Sequence, residues 1–122
     1  MRETPHILLV EDDPRLAALI ADLLEAADYA VDGPYATLAE GAAAVAHRLP
    51  GGAVLDVRLA DGDAGLLADD LDSYDIPYLF CSGAGEHPIL ADHPDAPLLL
   101  KPAIASRLVA MLKDAMRKRP LH

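Results

Sequence analysis

The feature that most constrains this chain is an alternation in which short apolar runs, ending abruptly in polar residues, take turns with longer alanine- and leucine-rich segments of helical period. Parallel strands need long crossover connections, and a helix that returns over the sheet is the usual one. The pattern therefore predicts an α/β fold, a doubly wound parallel sheet of five strands. The expected strands are HILLV (6–10), YAVDG (29–33), GAVLDV (52–57), PYLFC (77–81) and PLLL (97–100). Asp13 as N-cap and Pro14 at the first helical position signal the start of the first helix. Leu16, Leu19, Ile20, Leu23 and Leu24 mark its apolar face. Further helices are predicted over 37–48, 64–73 and 103–118, the last carrying Leu108, Val109 and Leu112. The connection GEHPILADHPDAP holds three prolines, so a fourth helix there is short or broken.

A length of 122 residues, 52% of them hydrophobic, fits one domain over 1–122 that buries a core without covalent staples and leaves no room for an attached output domain. Twenty acidic against ten basic residues give a formal charge of −10. Direct DNA binding is not expected, because phosphate recognition needs a basic surface, and the short basic end MRKRPLH does not reverse the balance. Cys81 is the single cysteine, so an intramolecular disulfide and a cysteine-based zinc site are both excluded. Its place at the end of an apolar strand suits a core role. The five histidines show no metal-like spacing. No apolar run reaches membrane-spanning length, which makes a cytoplasmic protein the expectation.

Sites in open α/β sheets form beyond the carboxyl ends of the strands. Glu11, Asp12 and Asp13 follow strand one, Asp56 closes strand three, Ser82 and Gly83 follow strand four, and Lys101 and Pro102 follow strand five. Each has an ordinary reading by itself: a helix cap, a strand-end acid, a turn, a helix boundary. If strands one, three, four and five are neighbours, all of these groups meet at one edge. Two unit charges 4 Å apart interact by about 1 kcal/mol in water and about 4 kcal/mol at an effective dielectric of 20, so clustered carboxylates call for a cation. Hard oxygen ligands with room for water favour Mg²⁺.

An acidic pair after strand one, an aspartate ending strand three, a hydroxyl residue after strand four and Lys-Pro after strand five resemble the receiver domain of two-component response regulators over nearly the whole chain. The resemblance implies a flavodoxin-like strand order 2-1-3-4-5. It implies Asp56 as phosphoacceptor, Mg²⁺ held by Asp12, by Asp56, by Glu11 through water and by the backbone carbonyl of Arg58, and Ser82 and Lys101 as ligands of the phosphoryl oxygens. Phe80, Cys81, Ser82 and Gly83 also resemble the Phe-Ala-Thr-Gly run of the stand-alone "FAT GUY" receivers. A carboxylate at Asp56 attacks phosphorus in line while cations neutralise the developing charge, and hydrolysis of the product limits the signal. Gly83 and Ala84 leave space for water there, and Arg58 shields or orders it. Such a chain catalyses its own phosphorylation and dephosphorylation but is mainly a signalling protein.

Two departures bear on output. Leu98 stands where many receivers place a Tyr or Phe that swings inward, and Ala103 replaces a Phe often found after Lys-Pro in the resembled subgroup. The expected partners are a histidine kinase or histidine phosphotransfer protein and an unidentified downstream protein. They are expected to dock on the first helix and the loop near Ile104 of a monomer that has no membrane contact. A haloacid-dehalogenase-type phosphatase needs a second aspartate two residues after the nucleophile, where Arg58 stands. A pseudo-receiver that signals without phosphorylation usually lacks part of the acidic or lysine set, and here that set is whole.

Overall fold

The computed structural model describes residues 4–83 and 88–118. In chain order these form β1 (His6–Val10), α1 (Pro14–Ala26), β2 (Ala30–Tyr35), α2 (Leu38–His47), β3 (Gly52–Asp56), the two-residue strands β4 (Arg58–Leu59) and β5 (Gly62–Asp63), and α3 (Gly65–Ser73). They continue with β6 (Tyr78–Ser82), α4 (Pro88–Asp92), β7 (Leu98–Leu100), a 3-10 turn (Lys101–Ala103) and α5 (Ile104–Arg117). The five longer strands make one parallel sheet in the order β2-β1-β3-β6-β7. This is the expected 2-1-3-4-5 with the β4–β5 ribbon set aside, a ribbon that the sequence reading did not anticipate.

Alternation along the strands divides the core. Ile7 and Leu9 point to one face with Val54, Leu79, Cys81 and Leu99, under Ile20 and Leu24 of α1 and Leu108 and Leu112 of α5. Leu8 and Val10 point to the other with Leu55 and Phe80, under Val45 of α2, Leu67 and Leu71 of α3 and Ile89 of α4. Strands buried on both faces are why their sequences read as continuous apolar runs rather than alternating ones.

Helix α1 begins where its signals place it: Asp13 Oδ1 accepts from the backbone N–H of Arg15 at 3.0 Å and of Leu16 at 3.4 Å, and Pro14 is the first helical residue. Its buried stripe is Ala17, Ile20 and Leu24, with Leu16 and Leu23 at the flanks, and Leu19 faces outward at 40% exposure. Four of the five residues expected on the apolar face pack toward the sheet, and Ala17 takes the place expected of Leu19, because alanine packs on a sheet as readily as leucine where the helix lies close. Both α1 and α3 are followed by an aspartate with positive φ, Asp28 at 68° and Asp75 at 56°, a conformation aspartate tolerates better than most residues. The proline-rich connection yields the short helix expected, five residues from Pro88 to Asp92.

At Gly41 of α2 a Cβ would lie 2.9 Å from Val10 Cγ2 and 3.2 Å from Leu67 Cδ2. The helix backbone therefore rests almost directly on β1, behind the strand end that carries Glu11. Gly41→Val should lower stability by about 1–3 kcal/mol, read from urea denaturation. An unchanged midpoint would show that α2 is free to move off the sheet.

Candidate functional site

Parallel register brings the strand ends level. Val10 of β1 pairs with Leu55 of β3, which pairs with Phe80 of β6, and Ser82 of β6 pairs with Leu100 of β7. The next residues along these strands, Glu11, Asp56 and Lys101, consequently meet over the same edge. Lys101 Nζ lies 3.2 Å from Asp56 Oδ2 and 3.5 Å from Glu11 Oε1. The backbone N–H of Arg58 donates to Asp56 Oδ1 at 3.3 Å, and that of Asp13 donates to Glu11 Oε2 at 3.0 Å. Glu11 and Asp56 are only 3% and 4% exposed, Ser82 is buried beside them, and Asp12 projects outward. One oxygen from each of Glu11, Asp12 and Asp56 lies within 4.8 Å of the others.

Two buried carboxylates against one ammonium group leave charge uncompensated. Burial pushes the Glu11 carboxyl from its ordinary 4.5 up to about 7, against the pull of the Asp13 N–H and with further upward pressure from Asp56. Burial works against the charge of Lys101, but Asp56 and Glu11 together raise its pKa. Cys81, one position along β6 from Ser82, is pushed up to about 12 by burial and then by Glu11 and Asp56, so its thiol stays protonated in the core. Glu11 Oε1 is buried with no hydrogen-bond partner. Its cationic neighbour among the described residues is Lys101 Nζ at 3.5 Å, and an all-oxygen donor set with so loosely met a buried oxygen fits a hard divalent cation of the Mg²⁺ kind.

The other expected site residues fall as follows. Arg58 opens the β4–β5 ribbon with its side chain exposed and its N–H turned to Asp56. A Cβ on Gly83 would meet no described atom within 4 Å, whereas Ala84, and with it part of the 83–96 loop, lies outside the described residues. Leu98 is half-buried against the core. Ile104 itself is 1% exposed, the first residue of α5 and part of the core, and around it Pro102, Ala105 and Ser106 are the exposed residues. The 3-10 turn at Lys101–Ala103 directs the chain inward after Pro102, and position 104 lands over the sheet. Sequence reasoning missed Asp61, whose carboxylate accepts from the N–H groups of Leu38 at 2.9 Å and Ala39 at 3.2 Å and so ties the ribbon to the start of α2. No local signal joins residues 23 positions apart.

A five-stranded parallel sheet with acids, a hydroxyl and a lysine at its carboxyl edge has the fold of response-regulator receiver domains, the class to which the solved structural relatives belong. No family model matches the chain. It is similar to the phyllosphere-induced regulator PhyR of Methylorubrum extorquens, 29% identical over a gapped alignment of 127 positions that covers 96% of this chain and 48% of that protein. The chain thus spans about half the length of that curated relative. The solution structure of the Erythrobacter litoralis PhyR response regulator REC domain superposes with a TM-score of 0.84 at 27% identity, covering 98% of this chain and 95% of that one. The CheY-like receiver domain protein of Methanospirillum hungatei, at 20% identity, shares the fold with a TM-score of 0.85 over 95% of this chain and 96% of that one. Among the described residues no helix is long and apolar enough to cross a membrane.

The Glu11 shift has a measurable sign. Its carboxyl titrates near 4.5 unfolded and about 7 folded, so without metal it removes stability progressively as pH rises through that window and by a constant amount above it. In a metal-free buffer Glu11→Gln should raise the melting temperature at about pH 8 and leave it nearly unchanged at about pH 4. A variant less stable than the parent at the higher pH would mean that the ion pair with Lys101 outweighs burial.

Proposed function

We propose that this chain is a phosphoryl-accepting response regulator whose acceptor is Asp56. The observation that carries the reading is Asp56 itself: a buried strand-end carboxylate with Lys101 Nζ 3.2 Å from Oδ2 and oxygens of Glu11 and Asp12 within 4.8 Å. A carboxylate oxygen of Asp56 attacks the phosphorus of a phosphohistidine, the new O–P bond forms as the P–N bond breaks, and the leaving imidazole takes up a proton. Lys101 neutralises phosphoryl oxygens on one side and the Ser82 hydroxyl donates to them on the other. The Arg58 N–H holds the second carboxylate oxygen and so fixes the plane of attack. Glu11, Asp12, Asp56 and the Arg58 carbonyl would hold Mg²⁺, which when bound supplies charge neutralisation at the phosphoryl group.

The phosphoryl donor in this reading is a histidine kinase or histidine phosphotransfer protein. It would dock on the outer side of α1, where Arg15, Ala18, Leu19 and Asp22 are exposed close to the carboxyl edge. The run Phe80, Cys81, Ser82, Gly83 supports the narrower likeness to the FAT GUY subgroup. With Leu98 lacking a ring, the response to phosphorylation centres on Ser82, Lys101 and the loop between them, changing the affinity for a protein target rather than driving dimerisation. We place this activity in the cytoplasm.

Acetyl phosphate or phosphoramidate with Mg²⁺ should add one phosphoryl group, visible by intact-mass spectrometry. Asp56→Asn and Asp12→Asn should abolish or strongly reduce the adduct, while Asp13→Asn, which alters only the helix cap, should retain it at a stability cost of at most about 2 kcal/mol. A parent chain that stays unmodified under conditions that label a control receiver would favour a phosphorylation-independent binding module instead.

A further inference from the structure

Apart from the Glu11, Asp56 and Lys101 site, a second group of ligating side chains meets between α3 and the end of α4. Asp69 and Asp72 lie three residues apart on one face of α3, and His93 directly follows α4. His93 is only 7% exposed, held edge-on to the rings of Phe80 and Tyr78 at centroid distances of 5.8 and 6.4 Å. Its Nδ1 lies 3.0 Å from the carbonyl oxygen of Ile89. A carbonyl can only accept, so Nδ1 carries the hydrogen. That commits Nε2 to the carboxylates, 2.7 Å from Asp69 Oδ1 and 3.8 Å from Asp72 Oδ2. Tyr78 donates its hydroxyl to Asp72 Oδ2 at 3.1 Å.

A buried imidazole aimed at two carboxylates, with its remote nitrogen donating to a backbone carbonyl, is the arrangement that orients a metal-ligating histidine. Tetrahedral coordination with bonds of about 2.0–2.1 Å separates ligand atoms by about 3.3 Å, and the two observed separations straddle that value. One ligand atom from each of the three residues already lies within 4.8 Å of the others. Asp69 and Asp72 side chains are 62% and 55% exposed, which leaves a coordination position open to water. Beside the cluster runs a groove of about 730 Å³ to which Asp75, Asp92 and Asp95 contribute, while Asp114 there is paired with Lys118 at 2.9 Å, a lining that stays net acidic and favours cations. An imidazole with two carboxylates suits borderline metals rather than Mg²⁺, which takes oxygen.

We propose that His93 Nε2, Asp69 and Asp72 form a second metal site, for a divalent transition cation of the Zn²⁺ class, that clasps α4 to α3. In the metal-free chain a proton bridges Nε2 and Asp69, and the cation takes its place as that proton leaves to solvent. Occupancy of this clasp restrains Pro88–Asp92, which precedes β7 and Lys101 in the chain, against α3. The site does not depend on phosphorylation of Asp56.

The test is titration of the full chain with Zn²⁺ by calorimetry in excess Mg²⁺, with NMR of the histidine side chains read in parallel. One strong site is expected, with the His93 ring resonances shifting on binding. His93→Gln and Asp69→Asn should each weaken Zn²⁺ binding at least about tenfold, and Asp12→Asn should not. Asp69 is exposed enough that its substitution leaves the core intact, so loss there is not attributable to misfolding. Unshifted His93 resonances at saturation, clasp variants that bind Zn²⁺ as tightly as the parent, loss of binding in Asp12→Asn, or no binding to the parent chain would each overturn the proposal.

Discussion

The molecule turns on one electrostatic arrangement, two buried carboxylates, Glu11 and Asp56, facing a single lysine across the carboxyl edge of the sheet. A buried ion pair rarely stabilises a fold by itself, because the desolvation of its members cancels most of the attraction, whereas removing one member leaves a charge that nothing compensates. Here the count is unequal from the start. Lys101 lies closer to Asp56 than to Glu11, and burial, with Asp56 adding to it, pushes the Glu11 carboxyl to about 7. The edge is therefore held together and at the same time left short of positive charge.

The rest of the fold serves to hold those groups where repulsion would otherwise separate them. Strands β1 and β3 are buried on both faces, so Glu11 and Asp56 cannot retreat without dragging apolar side chains into water. Gly41 lets α2 lie against Val10 and closes one side. The β4–β5 ribbon closes the other: Val57 donates to the Cys81 carbonyl at 3.0 Å, Ala64 donates to the Val57 carbonyl at 3.1 Å, and Asp61 anchors the ribbon to α2. Lys101 reaches the carboxylates because β7 pairs with β6 in a register that sets Leu100 beside Ser82.

Much of this was legible in the sequence because its determinants are local. HILLV ends where β1 ends, and Asp13-Pro14 starts α1 by capping and by a preset φ. The meeting of Glu11, Asp56 and Lys101 follows from strand order, which a parallel α/β pattern restricts. What was not legible depends on distant chain. β2 continues past Gly33, where the expected strand stops, through a cis Gly33-Pro34 bond to Tyr35. The exchange of Leu19 for Ala17 on the buried face of α1 reflects a small side chain that carries little signal by itself. The 3-10 turn at Lys101–Ala103, which carries Ile104 into the core, has no signal in the sequence beyond Pro102. His93 meets Asp69 across 24 positions and two helices, beyond the reach of any spacing rule.

If the shortage of positive charge at the edge is the governing constraint, Lys101 and Asp56 must be energetically coupled. A double-mutant cycle by urea denaturation in metal-free buffer, pairing Lys101→Met with Asp56→Asn, measures that coupling directly. The loss caused by Lys101→Met should shrink by about 1–3 kcal/mol once Asp56 is neutral. Additivity within about 0.5 kcal/mol would contradict the account, since the lysine would then stabilise the edge by packing and not by compensating the carboxylates.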